Sequence, residues 1–433
     1  IAFNDEIPAL RVMRILGDEG RNPIPYYLYQ ATNIVVNNNL PIGNPNTNKF
    51  DLYRIQEIPA YNHQEGVRFR WSLATNSRLH PQFFIKGYVG YGFKDEKVKY
   101  RGELAWSFDK KAYHDVEFPR NSIRLIHEND IFSPGEKHPR LPNNCLLYSY
   151  SRSRGAMTYR KFTELNYEKE TLYGLSFEVW GRVSEIESAS DLTYLAVDNV
   201  KYSQPMEQLK SKTAGLSLRY YHNEAYIQKK RHRNLISHTE PLFILSHTIG
   251  ENKVFGNDEF YQKTELSFQK RIEVRDYGHI DLVADYQRVW TKAPFPLLLY
   301  PNANRGFVVD NKAYFLVNAL DFINDEQYGV KVSYVADNLL LARVPIFNAL
   351  GLRELFILRG FHGRLSTKNT PIKENGLFML PQHTIKMNRT PYMEGVVGIT
   401  NILGLLRVEY VRSLTYRSYP GVLKHGVRFD VTF

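Results

Sequence analysis

Residues 98–109 put two incompatible surfaces on one short piece of chain. Val98, Tyr100, Gly102, Leu104, Trp106 and Phe108 alternate with Lys99, Arg101, Glu103, Ala105, Ser107 and Asp109. Side chains of an extended strand point to opposite faces with period two, so one face here is apolar and the other charged. Eleven extended residues span about 35 Å, enough to cross a bilayer at a tilt of about 45°. The charged face needs water, because a charge on the lipid side costs about 2–4 kcal/mol at the bilayer midplane. A sandwich with dry cores on both sides is excluded.

The pattern recurs along most of the chain. Val67, Phe69, Trp71 and Leu73 oppose Arg68, Arg70 and Ser72, and Leu406, Val408 and Tyr410 oppose Arg407 and Glu409. Strands are predicted at 50–62, 65–75, 83–93, 98–109, 116–127, 156–168, 172–184, 212–221, 241–249, 260–273, 279–291, 326–336, 353–363, 392–401, 405–416 and 426–433. That is about sixteen, an even number as in bacterial single-chain barrels. The fold class is all-β, an antiparallel transmembrane β-barrel. The last strand runs from Gly426 through Val427, Phe429 and Val431 to a terminal Phe433, with Arg428 and Asp430 on the other face. A glycine followed by alternate apolar residues up to a terminal Phe is the pattern by which bacterial outer-membrane barrels are recognised for assembly. It is expected to pair with the strand near Phe50, with Phe429 and Val431 toward lipid.

Connections sort into short ones, such as 76–82, 110–115 and 276–278, and long ones, such as 128–144, 185–209, 293–313 and 366–391. That segregation is the two-sided asymmetry of an outer-membrane barrel. Two stretches on the short side, 223–240 and 345–351, are longer than the rest. Residues 1–48 lie outside the pattern and are rich in Pro, Asn and Gly toward their end. They read as a loop-rich lead-in, with a short helix near 8–16, that ends a missing N-terminal region; 49–433 form the barrel.

Composition narrows the class. Mean hydropathy is −0.41, and no run approaches the 18 or so apolar residues of a membrane helix. Aromatic residues make up 14%, with 30 Tyr and 25 Phe against 6 Met, an excess that suits strands and interfacial girdles. One cysteine, Cys145, excludes an intramolecular disulfide and a thiolate zinc site. The net charge of +11 is spread along strands rather than gathered in a nucleic-acid motif, so nucleic acid is not an expected partner. Lumen lining and contact with anionic lipid or lipopolysaccharide headgroups account for it.

Two resemblances follow. Glu65-Gly66-Val67-Arg68, the run Gly87-Tyr88-Val89-Gly90-Tyr91-Gly92-Phe93-Lys94-Asp95-Glu96-Lys97-Val98-Lys99-Tyr100, Pro294-Phe295-Pro296-Leu297-Leu298 with Pro301-Asn302, and the closing stretch 404–433 carry the first. Over about 50–433 the chain resembles the barrel half of a Bacteroidota outer-membrane family in which a domain of unknown function is joined to a carboxypeptidase-regulatory-like domain. That N-terminal domain has no counterpart in the sequence. The barrel also resembles, distantly, the BamA/TamA outer-membrane assembly and translocation superfamily. Its members have sixteen strands and a long loop that folds back inside, tipped by Arg-Gly-Phe or Arg-Gly-Tyr.

In that topological position, after the eleventh strand, this chain has Arg305-Gly306-Phe307. The resemblance implies an inward loop whose arginine pairs with a lumenal carboxylate, for which Asp281 and Asp285 are candidates. The alternative is a surface turn with glycine at positive φ. A second match, Arg359-Gly360-Phe361, falls inside a predicted strand and reads as coincidence. Lys229-Lys230-Arg231-His232-Arg233 is the densest basic run and is expected on the periplasmic side, either binding headgroups or a partner or simply solvated. No His-Glu-x-x-His, nucleophile-elbow or phosphate-loop pattern is present, and Ser246 and His247 face opposite sides of a strand. No catalytic residue, metal or cofactor is expected. The resemblance implies a non-enzymatic outer-membrane barrel of protein assembly or translocation, or an accessory subunit. A porin-like or plugged transport barrel and a scaffold subunit of a larger outer-membrane complex remain as alternatives.

Overall fold

The computed structural model describes residues 39–44, 46–135, 157–189, 192–196, 205–224, 226–228, 233–235, 239–303, 313–337, 339–372, 375–402 and 406–431. The strands are β1 (Asn39–Pro41), β2 (Phe50–Tyr53), β3 (Pro59–Asn62), β4 (Gly66–Thr75), β5 (Phe83–Gly92), β6 (Val98–Ser107), β7 (Asn121–Phe132), β8 (Thr158–Glu170), β9 (Leu175–Ser188) and β10 (Gln208–Tyr221). They continue with β11 (Tyr226–Gln228), β12 (Arg233–Leu235), β13 (Leu242–Val254), β14 (Asn257–Glu273), β15 (Gly278–Val289) and β16 (Glu326–Ala336). A one-turn helix α1 (Pro345–Ala349) precedes β17 (Arg353–Arg364), β18 (Tyr392–Ile402), β19 (Leu406–Ser413) and β20 (His425–Val431).

Eighteen of these strands form one sheet, with β11 and β12 a separate hairpin. Each neighbour in the wall pairs antiparallel with the next, from β4 through β10 and from β10 through β13 to β20. β2 and β3 are two halves of one stave, since both pair with β4. Arg54 breaks that stave in the left-handed region at φ 56, followed by the single turn Ile55–Glu57. With β1 set aside and β2/β3 taken as one, the described residues form an antiparallel barrel wall of sixteen staves, the number read from the alternation.

The wall is inside out relative to a water-soluble protein. Trp71 is 67% exposed while Arg68, three residues earlier on the opposite face, is 1% exposed. Leu104, Val179, Leu245, Leu266, Val330, Leu358, Val397, Tyr410 and Phe429 continue the exposed apolar surface around the wall. Arg70, Lys99, Glu103, Asp130, Glu164, Glu394, Glu409 and Arg428 are buried behind it.

The expected strand at 116–127 lies five residues later, as β7. The Glu117 carboxylate accepts the backbone N–H groups of Ala112, Tyr113 and His114, which closes a turn where the alternation read as strand. The 223–240 stretch carries the β11–β12 hairpin, and the 345–351 stretch carries α1. At the opposite, long-loop end, Tyr194 stacks on Phe378 with centroids 5.2 Å apart. Phe295, Leu298, Leu299, Leu320 and Ile323 pack around them in one apolar cap. Burial, with Glu187 nearby, pushes the Tyr194 hydroxyl above its ordinary pKa. The expected helix near 8–16 lies outside the described residues.

Candidate functional site: the lumen, its inner loop and the seam

The lumen is filled in two ways. Behind β4–β8 the wall fills it with its own charges. Arg68 makes a two-pronged contact with Asp130, Nη1 to Oδ1 at 2.6 Å and Nη2 to Oδ2 at 2.8 Å. Tyr88 donates to the same carboxylate, and Glu65 lies 3.4 Å from Arg68. Lys99 bridges Glu65 at 2.8 Å and Asp95 at 2.6 Å, and Tyr159 donates to Asp95 at 2.6 Å. Arg70 pairs with Glu57 and covers the Tyr88 ring at 3.6 Å. Charges buried this deeply persist only when paired and hydrogen-bonded.

Toward the short-turn end, Lys86 lies 2.7 Å and His114 2.6 Å from Asp115. Burial alone would raise the Asp115 carboxyl; Lys86 and His114 more than reverse it and hold it well below the usual carboxylate range. It therefore stays ionised and ties the 108–120 turn to the wall.

Behind β17–β20 a different element fills the space. Residues 313–323 of the connection between β15 and β16 lie inside, so that Phe315 and Leu316 pack on Leu355, Ile357, Val396 and Val411 of the inner wall. Val317 and Phe322 pack on Phe361, Tyr392 and Tyr416. The polar anchor is Glu394. Its carboxylate accepts the backbone N–H of Phe315 at 3.1 Å, that of Leu316 at 2.7 Å, the Tyr392 hydroxyl at 2.8 Å and Arg359 Nε at 2.7 Å. Arg359 Nη1 donates to the Ala313 carbonyl at 2.6 Å, and Tyr314 donates to the Gly360 carbonyl at 2.9 Å.

The second Arg-Gly-Phe, set aside in the sequence, therefore holds the inner loop from the wall side. Arg359 binds the loop, and Phe361 packs against it. Gly360 is required by the neighbouring stave, since a Cβ there would sit 2.6 Å from the Tyr392 carbonyl. Beside the loop, Asp285, Gln287, Gln327, Lys331 and Arg359 are among the residues that line a cavity of about 250 Å³.

The sequence candidates separate. Asp285 lines that cavity, but Asp281 is engaged by Arg271 of β14 at 2.7 and 2.9 Å, its directly opposite neighbour in the ladder. Arg305, Gly306 and Phe307 lie outside the described residues, as do Lys229, Lys230, Arg231 and Phe433. Arg233 is not a solvated charge. It forms a two-pronged pair with Glu170 at 2.7 and 3.2 Å and lies over the Tyr226 and Phe118 rings. Phe429 is exposed on the outer face. Gly426 faces inward, where a Cβ would meet the Phe315 ring at 2.4 Å, so this glycine of the terminal pattern is also required by the inner loop. Among the described residues no group of His, Cys, Asp and Glu is placed to hold a metal ion.

Among the described residues no ladder joins β20 to β2 or β3. The edge of β2 that would receive β20 is bonded instead to β1, with Asn39 opposite Tyr53, Leu40 opposite Leu52 and Pro41 opposite Asp51.

A sixteen-stave barrel with a charged wall and an inner loop ahead of its twelfth stave places the chain in a known class of barrel fold. It superposes on the crystal structure of BamA from Haemophilus ducreyi lacking POTRA domains 1–3 with a TM-score of 0.53 and 7% identity, covering 86% of this chain and 69% of that one. CdiB from Acinetobacter baumannii matches with a TM-score of 0.41 and 10% identity, over 86% of this chain and 57% of that one. Residues 41–369 match the family described as family of unknown function (DUF5686), C-terminal domain, and the chain belongs to that family. Comparison with curated proteins gave no match.

Proposed function

We propose that this chain is a non-enzymatic barrel of the outer membrane that takes part in outer-membrane protein assembly or translocation, or serves as an accessory subunit of such a machine. One observation carries this reading over a simple pore: the lumen is occupied by the chain's own loop. A pore works through its lumen; a barrel that acts on chains entering the bilayer works through its wall. The expected setting is a Bacteroidota outer membrane, behind a carboxypeptidase-regulatory-like domain, in contact with lipid and lipopolysaccharide. Depleting the protein and quantifying the outer-membrane proteome tests the reading. Levels of several other barrels are expected to fall; an unchanged proteome together with an ohmic pore in planar bilayers would return the porin alternative. Recovery with another barrel at fixed stoichiometry identifies the accessory role.

The membrane location has its own test. Trp71 projects from the outer face, so Trp71→Arg is expected to destabilise the barrel in lipid bilayers by about 2–4 kcal/mol if its depth is near the midplane. Urea titration in liposomes reads the effect. A change under about 0.5 kcal/mol, the usual range for a water-exposed surface site, would place this face in water.

A further inference from the structure

Glu354 of β17 stands on the apolar side of the wall. Leu355, Ile357 and Arg359 of that strand face inward, where they meet the inner loop. Phe356 and Leu358 are exposed on the outer face, and period two puts Glu354 with them. Its ladder neighbours agree. Glu354 stands opposite Ile399 of β18, one outward step from the Phe356/Val397 pair, and both Ile399 and Val397 are exposed. On its other side it stands opposite Ala336 of β16. Yet Glu354 is only 8% exposed.

The β16–β17 connection covers it. One Glu354 oxygen accepts the backbone N–H of Leu340 at 2.7 Å and that of Leu341 at 2.5 Å, so the connection turns outward over the end of the wall and not into the lumen. Two further contacts tie it down: Arg353 Nε lies 3.1 Å from Asp337, and the Asn401 amide donates to the Gly351 carbonyl at 2.6 Å. Between these ties Leu340, Val344, Ile346, Phe347 and Leu350 are exposed, Ile346 at 70%. Residues 338–352 contain no Asp or Glu and one cation, Arg343. A contiguous exposed apolar patch marks an interaction surface, and its position selects the occupant. The patch continues the outer face past Tyr334 and Phe356, whose rings stack 6.3 Å apart. Tyr334 donates to the carbonyl of Tyr277, itself exposed. Aromatic rings in such a row mark the level where acyl chains meet headgroups. An apolar turn just beyond that level, with an arginine to reach phosphate, suits a lipid interface.

We propose that residues 340–350 form a foot embedded in the phospholipid leaflet on the short-turn side, with the apolar side chains among the acyl chains and Arg343 at the phosphates. The inference rests on the reading of the chain as a membrane barrel and adds to it a contact made outside the strands, with Glu354 as the positioning residue that folds the foot toward lipid.

Spin-label accessibility tests it, with the full chain in nanodiscs of phosphatidylethanolamine and phosphatidylglycerol. In a Cys145→Ser background a nitroxide is placed at Ile346→Cys, at Val330→Cys on the outer wall, or at Lys110→Cys on an exposed turn of the same end. Oxygen, which concentrates among acyl chains, and a water-soluble nickel chelate each broaden the spectrum of a label they can reach. Val330 reads the barrel itself: nickel broadening there would place the wall in water and remove the membrane reading together with the foot. With Val330 in lipid, the label at Ile346 is expected to lose the nickel broadening seen at Lys110 and to keep the oxygen broadening seen at Val330. Nickel broadening at Ile346 equal to that at Lys110 would put the segment in water and overturn the foot while the barrel stands. Protection of Ile346 from both reagents would mean that a second copy of the chain covers the patch, which overturns it equally.

Discussion

Glu394→Ala is expected to unplug the lumen. The substitution leaves the Arg359 guanidinium buried without its carboxylate and takes the acceptor from the N–H groups of Phe315 and Leu316. Breaking a buried pair by removing one partner costs about 3–5 kcal/mol. That amounts to roughly a hundred- to several-thousandfold in the equilibrium between docked and released loop. The apolar contacts of Phe315, Leu316 and Val317 remain, each contributing about 1.5–3 kcal/mol, so release is a population shift and not a permanent opening. Planar-bilayer recordings should show rare, brief openings in the wild type and frequent long ones in Glu394→Ala. Glu394→Gln keeps an acceptor oxygen for the backbone and should fall between. Identical conductance in all three proteins would mean that the loop is held by its apolar contacts alone.

Much of the wall was legible in the sequence because two solvents impose it. A strand with lipid on one side and water on the other must alternate, and segments such as 98–109 have no other reading. What fills the lumen was less legible, though β17 carried a signal. Leu355, Phe356, Ile357 and Leu358 are apolar on both faces, which a water-lined stave has no use for; Leu355 and Ile357 meet Phe315 and Leu316 of the inner loop. Arg359-Gly360-Phe361 lies in a strand, where nothing local in the sequence shows that Arg359 reaches the Ala313 carbonyl of the loop and Glu394 of the next stave. The pairing of Asp281 with Arg271 was hidden for want of register: Arg271 stands directly opposite it, and nothing local in the sequence says so. The pairing of β1 was hidden for a related reason. Three residues ahead of the barrel, Asn39–Pro41, show no periodicity, and only pairing reveals that they occupy the edge expected for β20.

Asp130→Ala breaks a buried pair of the same kind and is expected to do the opposite thing. Arg68 loses both prongs of its contact, and Tyr88 loses its acceptor; Glu65, at 3.4 Å, is already shared with Lys99. The network joins the 62–66 turn to β4, β5, β6, β7 and β8, with no inner loop among the described residues to move aside. The loss of about 3–5 kcal/mol therefore falls on the barrel itself, and conductance should stay at the wild-type level. Unfolding in urea from liposomes should show the full loss for Asp130→Ala, and a smaller one for Glu394→Ala, where release of the loop relieves part of the strain. Arg68→Met combined with Asp130→Leu separates lost attraction from stranded charge. Well-packed apolar replacements of buried ion pairs are often neutral, so the double variant should recover most of the stability that Asp130→Ala loses. If the double variant is as unstable as the single one, the network stabilises the wall through its geometry and not merely by pairing a charge that has nowhere else to go.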